Sequence, residues 1–207
     1  MLDDDARIDA ATALRDLIHE FSARDPDDAL LRSVAATARA EADALRTHPL
    51  RDRRALMRAA VGGASPAGFS DRAVGGAANP TGVELSVEFE ADEVVAEVVL
   101  RRAFEGAPGR AHGGIVAAAF DDVTGFVIGM LHEPAYTGEL TVRYLAPVPV
   151  DETLVMRARL DGRERRKLFI SADAHAGEQA GGHLVATCRA IYITVDPARF
   201  AGAPEPR

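Results

Sequence analysis

Residues 111–131, AHGGIVAAAFDDVTGFVIGML, are apolar or small at nearly every position. A helix that is apolar on all faces is normally buried in a core, so this segment predicts a central buried helix. Its length would also suit a membrane span, but the adjacent carboxylates of Asp121 and Asp122 argue against insertion. Because a carboxylate is costly to bury without a partner, this aspartate pair indicates a functional site.

The composition restricts the class of protein. The chain has 207 residues, of which 47% are hydrophobic and 27% charged, as in soluble globular proteins. The net charge of -8 argues against binding to nucleic acid. The single cysteine, Cys188, permits no internal disulfide, and the acidic N-terminus does not resemble a signal peptide. We therefore expect a cytoplasmic protein.

Two amphipathic helices are predicted near the N-terminus. The first carries one apolar stripe at helical spacing, formed by Leu14, Leu17, Ile18 and Phe21. The second is expected to begin with Asp25 as its N-cap and to end near Arg46, and a shorter helical piece is expected at 52–60. The helices could form a separate interaction module, but narrow stripes favour packing on the rest of the protein.

A change of composition marks the domain boundary. Residues 61–81 are rich in glycine, alanine and proline and have no periodicity, which predicts a linker or a covering loop. We therefore divide the chain into a helical extension at 1–60, the linker at 61–81, a main domain at 82–197 and a C-terminal tail at 198–207.

The main domain has the alternating pattern of β-strands on both sides of the central helix. Two strands forming a hairpin are predicted before the helix and four strands after it, with Asp161-Gly162 as a turn. The expected strands cover 83–89, 94–100, 140–144, 154–160, 167–174 and 183–195. Short connections favour antiparallel pairing, and the sheet has to curl around the apolar helix to bury it.

This α+β arrangement resembles the hotdog fold, in which a curved antiparallel β-sheet wraps around a central α-helix. The motif His112-Gly113-Gly114 with Asp121 resembles the HGG(x)6D signature of the PaaI-like acyl-CoA thioesterases. Residues 137–147, TGELTVRYLAP, and residues 162–171 resemble the strand and hairpin that follow the helix in that family. The similarity covers about 81–197. The helical extension and the Asn-Pro element at 79–80 resemble the subgroup around thioesterase superfamily member 4.

The resemblance implies that the protein hydrolyses the thioester of an acyl-CoA. Asp121 would act as general base or nucleophile, the Gly114 backbone N–H would bind the oxyanion, and Thr137 would orient the water or the intermediate. His112 would either fix the loop by a hydrogen bond or orient the substrate. The family also implies a homodimer or homotetramer, in which the aspartate and the glycine come from opposite subunits.

Further residues are candidates for substrate binding. Gly113 lets a substrate approach the backbone, and Asp122 lies about 100° from Asp121 around the helix, where it could bind across a dimer or cap a strand. A basic cluster at a hairpin turn could hold the phosphates of coenzyme A or could simply be solvated; it comprises Arg163, Arg165, Arg166 and Lys167.

Other functions have less support in the sequence. The histidines show no metal-ligand spacing, so neither a metal nor another cofactor is expected. A hotdog hydratase would require a different histidine and carboxylate arrangement. A hotdog protein that binds acyl-CoA without cleaving it is the main alternative, although a pure binding protein has no need of a buried carboxylate.

Overall fold

The computed structural model describes residues 5–52, 55, 70–177 and 182–196. Most of the helical piece expected at 52–60, the first part of the linker and the tail at 198–207 lie outside the described residues. The described helices are α1 (Asp5–Ala23), α2 (Asp28–Arg46) and α3 (Gly113–Met130), with a short 3-10 helix at Arg102–Phe104. The strands are β1 (Leu85–Phe89), β2 (Glu93–Val99), β3 (Glu105–Ala107), β4 (Arg110–Ala111), β5 (Ala135–Tyr144), β6 (Thr153–Glu164), β7 (Lys167–Ala176) and β8 (His183–Thr194).

Six of these strands form one sheet in the order β1-β2-β6-β7-β8-β5. Every neighbouring pair is antiparallel, as predicted. The spatial order of the strands differs from their order along the chain in the position of β5. This strand pairs with β8, so β2 has β6 as its neighbour. Strand β5 therefore lies at an edge of this sheet.

Helix α3 packs against one face of this sheet. Its buried residues include Val116, Phe120, Val123 and Val127, which share one side of the helix. They meet the inward side chains of the strands, such as Leu168 and Ile170 of β7. Helix α3 is long and apolar enough to cross a membrane, yet here it is the helix on which the sheet packs.

The opposite side of α3 is not covered by the sheet. Only 44% of the helix residues are buried. Gly114 is exposed, while Ala118, Asp121 and Gly125 are half-buried, and their spacing places them on one stripe. The sequence predicted a helix buried on all sides. Within the protomer, only the face toward the sheet is fully buried.

The turn predicted at Asp161-Gly162 is wrong. Strand β6 continues through these residues with a β-bulge between Leu160 and Gly162, and the chain reverses at Arg165-Arg166. Arg165 has a positive φ of 51°. Because a bulge and a turn both favour glycine, the dipeptide does not by itself distinguish them.

Helix α1 packs on the rest of the protein as predicted, but not through its apolar stripe. The apolar stripe of α1 faces outward, with Leu14 46% and Phe21 55% exposed, while Arg15 and His19 on the other face are buried. Helix α2 has no buried residue, and its N-cap is Asp27 rather than Asp25. The Asp27 carboxylate accepts a hydrogen bond of 2.8 Å from the Leu30 N–H, so the helix begins two residues later than its Pro26 suggested.

Candidate active site

The motif His112-Gly113-Gly114 forms the start of α3. His112 has extended backbone angles and is the N-cap, with its Nδ1 atom accepting a hydrogen bond of 3.1 Å from the Gly114 N–H. An N-cap satisfies a backbone donor that has no partner within the helix. Of the two roles considered for His112, this geometry supports the fixing of the loop.

Gly113 has a close neighbour in Tyr144. The Tyr144 hydroxyl donates to the Gly113 carbonyl, and a Cβ atom on Gly113 would lie 3.2 Å from the Tyr144 hydroxyl oxygen. A larger residue would therefore push Tyr144 away. Next to this contact lies a cavity of about 410 Å³ between the β3–β4 hairpin, the start of α3 and Tyr144.

Asp121 and Thr137 are brought together two turns further along α3. Thr137, near the start of β5, donates a hydrogen bond of 2.9 Å from its hydroxyl to Asp121 Oδ1. Asp121 is half-buried and Thr137 is exposed. The carboxylate is therefore oriented by a hydroxyl while it remains accessible from the uncovered side of α3.

Tyr192 of β8 is a neighbour of Asp121 that the sequence analysis missed. Its hydroxyl donates to the Asp121 carbonyl at 3.0 Å and lies 3.0 Å from Thr124 Oγ1. Burial raises the pKa of Tyr192 to about 12, so the hydroxyl remains a neutral donor at ordinary pH. The sequence feature that could have identified Tyr192 is a tyrosine among the apolar residues of a strand. A buried tyrosine hydroxyl needs a hydrogen-bond partner, so it points to a polar neighbour.

Gly114 and Asp121 are far apart within one protomer. They are separated by seven positions on the same helix, which corresponds to about 10 Å along the helix axis. A base and an oxyanion donor each have to lie within about 3 Å of the reacting atoms. The two groups of one protomer therefore do not reach the same carbonyl.

The carboxylate of Asp122 is bound by residues of the segment that precedes β1. Arg72 donates to Asp122 Oδ1 at 2.7 Å from Nη2, and the Gly75 N–H donates to Oδ2 at 2.8 Å. The Arg72 guanidinium also lies over the Phe126 ring at 4.0 Å. These contacts attach residues 72–75 to α3. They support a structural role for Asp122, in place of the substrate-binding role expected from the sequence.

The basic cluster lies at the tip of the β6–β7 hairpin. Arg163 pairs with Glu133, and Arg166 donates to the Thr194 carbonyl at 3.0 Å. Among the described residues, Arg165 and Lys167 have no ion-pair partner. Lys167 pairs in register with Ile193, which pairs with Tyr136, so Lys167 lies about 10 Å from the residue before Thr137. A role in binding phosphates stays a prediction.

Comparison with known proteins gives related sequences for the part of the chain that carries these residues. Residues 108–183 match the family model of the thioesterase superfamily. Human acyl-coenzyme A thioesterase THEM5 is 39% identical over 75 residues, which are 36% of this chain and 30% of that protein. Mouse acyl-coenzyme A thioesterase THEM4 is 32% identical over 93 residues, 45% of this chain and 39% of that protein. The chain thus matches less than half the length of these curated relatives.

Solved structures share the architecture. The crystal structure of a thioesterase superfamily protein superposes with a TM-score of 0.78, covers 90% of both chains and is 24% identical. A hypothetical thioesterase protein from Streptococcus pneumoniae, crystallised with coenzyme A, gives a TM-score of 0.50 over 54% of this chain and 89% of its own, at 18% identity.

At these identities the structural likeness establishes the fold alone, and that fold is the hotdog architecture predicted from the sequence. Residues 108–183 and the curated relatives thus show a similarity of this part of the chain to the thioesterase superfamily, in agreement with the predicted PaaI-like resemblance.

Proposed function

We propose that the protein hydrolyses the thioester of an acyl-CoA to the free acid and coenzyme A. The observation that carries this proposal is the hydrogen bond from Thr137 to Asp121, which orients a carboxylate on an accessible side of α3. The names of the curated relatives, acyl-coenzyme A thioesterases, support the same reaction.

Two routes are open to the Asp121 carboxylate. As a general base, it removes a proton from water while the water oxygen bonds to the thioester carbonyl carbon. As a nucleophile, it bonds to that carbon itself and forms an anhydride that water then cleaves. In both routes the C–S bond breaks, coenzyme A leaves as a thiolate that takes up a proton, and one water molecule is consumed for each acid released.

The proposed site lies between two copies of the chain. The separation of Gly114 from Asp121 requires the oxyanion donor to come from elsewhere, and a twofold dimer can supply Gly114 of the partner subunit. The edge position of β5 and the partly exposed stripe of α3 adjoin this site and favour such an association. A homodimer is thus the smallest active unit in this proposal.

The test is thiol release from short, long and aromatic acyl-CoAs by the wild type and by Asp121→Asn. We expect turnover in the wild type and a loss of at least about 100-fold in kcat in the variant, with acyl-CoA binding retained, because the amide removes the base but keeps the shape. Asp92→Asn, at the exposed β1–β2 turn, is the matched control. Equal rates in Asp121→Asn and the wild type would contradict the assignment of Asp121.

One observation favours a second candidate function, acyl-CoA binding without cleavage. The Gly114 N–H already donates to His112 Nδ1, so an oxyanion has to share this donor or displace the imidazole. In a protein that binds acyl-CoA without cleaving it, no oxyanion forms, so the hydrogen bond from Gly114 to His112 would remain in place. Calorimetric binding of acyl-CoA without thiol release from any member of the panel would establish this alternative.

A further inference from the structure

The buried face of α1 contacts the chain segment that leads into the Gly113-Gly114 loop. His19 is only 5% exposed, and its Nδ1 atom accepts a hydrogen bond of 3.1 Å from the Ala103 N–H. Its ring also packs edge-on against Phe104, with ring centroids 5.1 Å apart. Ala103 and Phe104 belong to the short 3-10 helix that precedes β3.

The same 3-10 helix holds the start of α3. The Phe104 carbonyl accepts a hydrogen bond of 2.8 Å from the His112 N–H. The His112 side chain in turn accepts the Gly114 N–H. A continuous series of contacts therefore runs from His19, through Ala103 and Phe104, to the backbone donor proposed for the oxyanion.

Directional polar contacts determine how α1 is seated. Arg15, 3% exposed, donates to the Ala77 carbonyl at 2.9 Å and to the Asn79 carbonyl at 2.8 Å, and it pairs with Glu84 at 2.9 Å. Asp16 pairs with Arg101 at 2.6 Å, next to the 3-10 helix. Hydrogen bonds fix a helix in rotation and in register more strictly than apolar contacts, which are non-directional.

We propose that α1 is a positioning element for the Gly113-Gly114 loop and that His19 is the residue through which it acts. The inference rests on the proposed function, since it assigns α1 to the oxyanion side of that site. His19 is a positioning residue: it touches neither substrate nor reacting atoms, but keeps the loop preceding α3 in place. The helical extension is then part of the catalytic unit.

The contact requires a neutral imidazole. Burial, and then the nearby Arg101, lower the pKa of His19, whereas the carboxylates of Asp16, Asp151 and Glu84 oppose this shift. Protonation of the ring would place a hydrogen on Nδ1, which would then face the Ala103 N–H as a second donor. The acceptor role is therefore met at neutral pH and lost on protonation.

The experiment compares His19→Ala, His19→Asn and the control Asp9→Ala, which lies on the exposed part of the same helix. We expect His19→Ala to lower kcat about tenfold with KM changed less than about threefold, because an oxyanion contact strengthens in the transition state. Asparagine offers an acceptor near the position of Nδ1 and should restore most of the rate. Asp9→Ala should match the wild type.

Amide hydrogen exchange provides a second readout that does not depend on turnover. We expect the His112 N–H to exchange at least about tenfold faster in His19→Ala than in Asp9→Ala, because its acceptor Phe104 is no longer held. If the wild type shows no turnover, the proposed function fails, and the exchange rates alone decide this inference. Unchanged exchange at His112, or a normal kcat in His19→Ala with only a lower melting temperature, would overturn it.

Discussion

Two adjacent aspartates of α3 have different partners, so we expect them to have different roles. Asp121 is oriented by Thr137 at its carboxylate and by Tyr192 at its carbonyl. Asp122, about 100° further around the helix, binds Arg72 and the Gly75 N–H. A Cβ atom on Gly75 would come within 2.3 Å of Leu85 Cδ1 and 2.6 Å of Asp122 Oδ2, so a larger residue would have to displace these side chains.

Asp122→Asn should therefore affect stability far more than chemistry. Replacing the carboxylate removes the charge that Arg72 pairs with, and we expect a loss of about 2–3 kcal/mol in the free energy of unfolding. The kcat of the folded variant should fall much less than that of Asp121→Asn. Urea denaturation and thiol release measured on both variants check this. Similar kcat losses in the two variants would contradict the separation of roles.

Tyr192→Phe tests whether the backbone of Asp121 has to be held. The variant keeps the ring but removes the donor to the Asp121 carbonyl, so we expect kcat to fall about threefold to tenfold and stability to fall by about 1 kcal/mol. Thr124→Ser, which keeps its hydroxyl, is the control. A stability loss with an unchanged kcat would assign the tyrosine hydroxyl to stability alone.

Among the secondary-structure elements, α1 shows most clearly how polar contacts can override an apolar pattern. Its apolar stripe is the more hydrophobic face, yet Arg15 and His19 are the side chains that meet the body of the protein. The buried side chains of Arg15 and His19 would lose their hydrogen-bond partners if the helix rotated, and unpaired buried groups are costly. The outward stripe, Leu14, Leu17, Ile18 and Phe21, remains exposed in the protomer.

The docking of α1 should make stability depend on pH. The pKa of His19 is lowered from its ordinary value of 6.5, so the unfolded chain binds this proton more readily than the folded chain. The neutral His19 side chain therefore makes its full contribution to the free energy of unfolding above about pH 6.5. This contribution is lost as the pH falls toward the lowered pKa. His19→Asn cannot titrate at this position.

Melting temperatures of the wild type and His19→Asn between pH 8 and pH 5 check this expectation. As the pH decreases, the melting temperature of the wild type should fall more than that of the variant. The difference between the two melting temperatures should therefore narrow. Parallel curves over this range would show that the titration of His19 is not linked to folding.

At the scale of the whole molecule, the separation of Gly114 from Asp121 on one helix is the reason for proposing a site shared by two protomers. The proposed site combines Asp121 and Thr137 of one protomer with Gly114 of the partner subunit. Such a division makes a strong prediction about mixed dimers, because each variant protomer can supply the group that the other lacks.

Co-expression of Asp121→Asn with Gly114→Pro, on two different tags, tests this division. Proline removes the N–H and is tolerated in the first turn of a helix, and each variant alone should be inactive. In a random mixture half of the dimers are mixed and each has one intact site, so we expect about one quarter of the wild-type activity. No recovery in dimers purified through both tags would place both groups in the same protomer.

The six strands of the main sheet, the central helix and the spacing of His-Gly-Gly from Asp121 were predictable from the sequence, because they depend on local periodicity and on residues close together in the chain. The short strands β3 and β4 were not predicted. The Asp161-Gly162 bulge shows the limit of such local signals, since its glycine suits either a bulge or a turn.

Only the tertiary structure decided which distant groups meet. The order of the sheet, with β5 beside β8, follows from packing on α3 rather than from strand sequence. The contacts of Asp122 with Arg72, of Tyr192 with Asp121 and of His19 with Ala103 join residues 50, 71 and 84 positions apart. Local patterns report the propensity and amphipathicity of a segment, whereas such hydrogen bonds depend on how the folded elements are placed against one another.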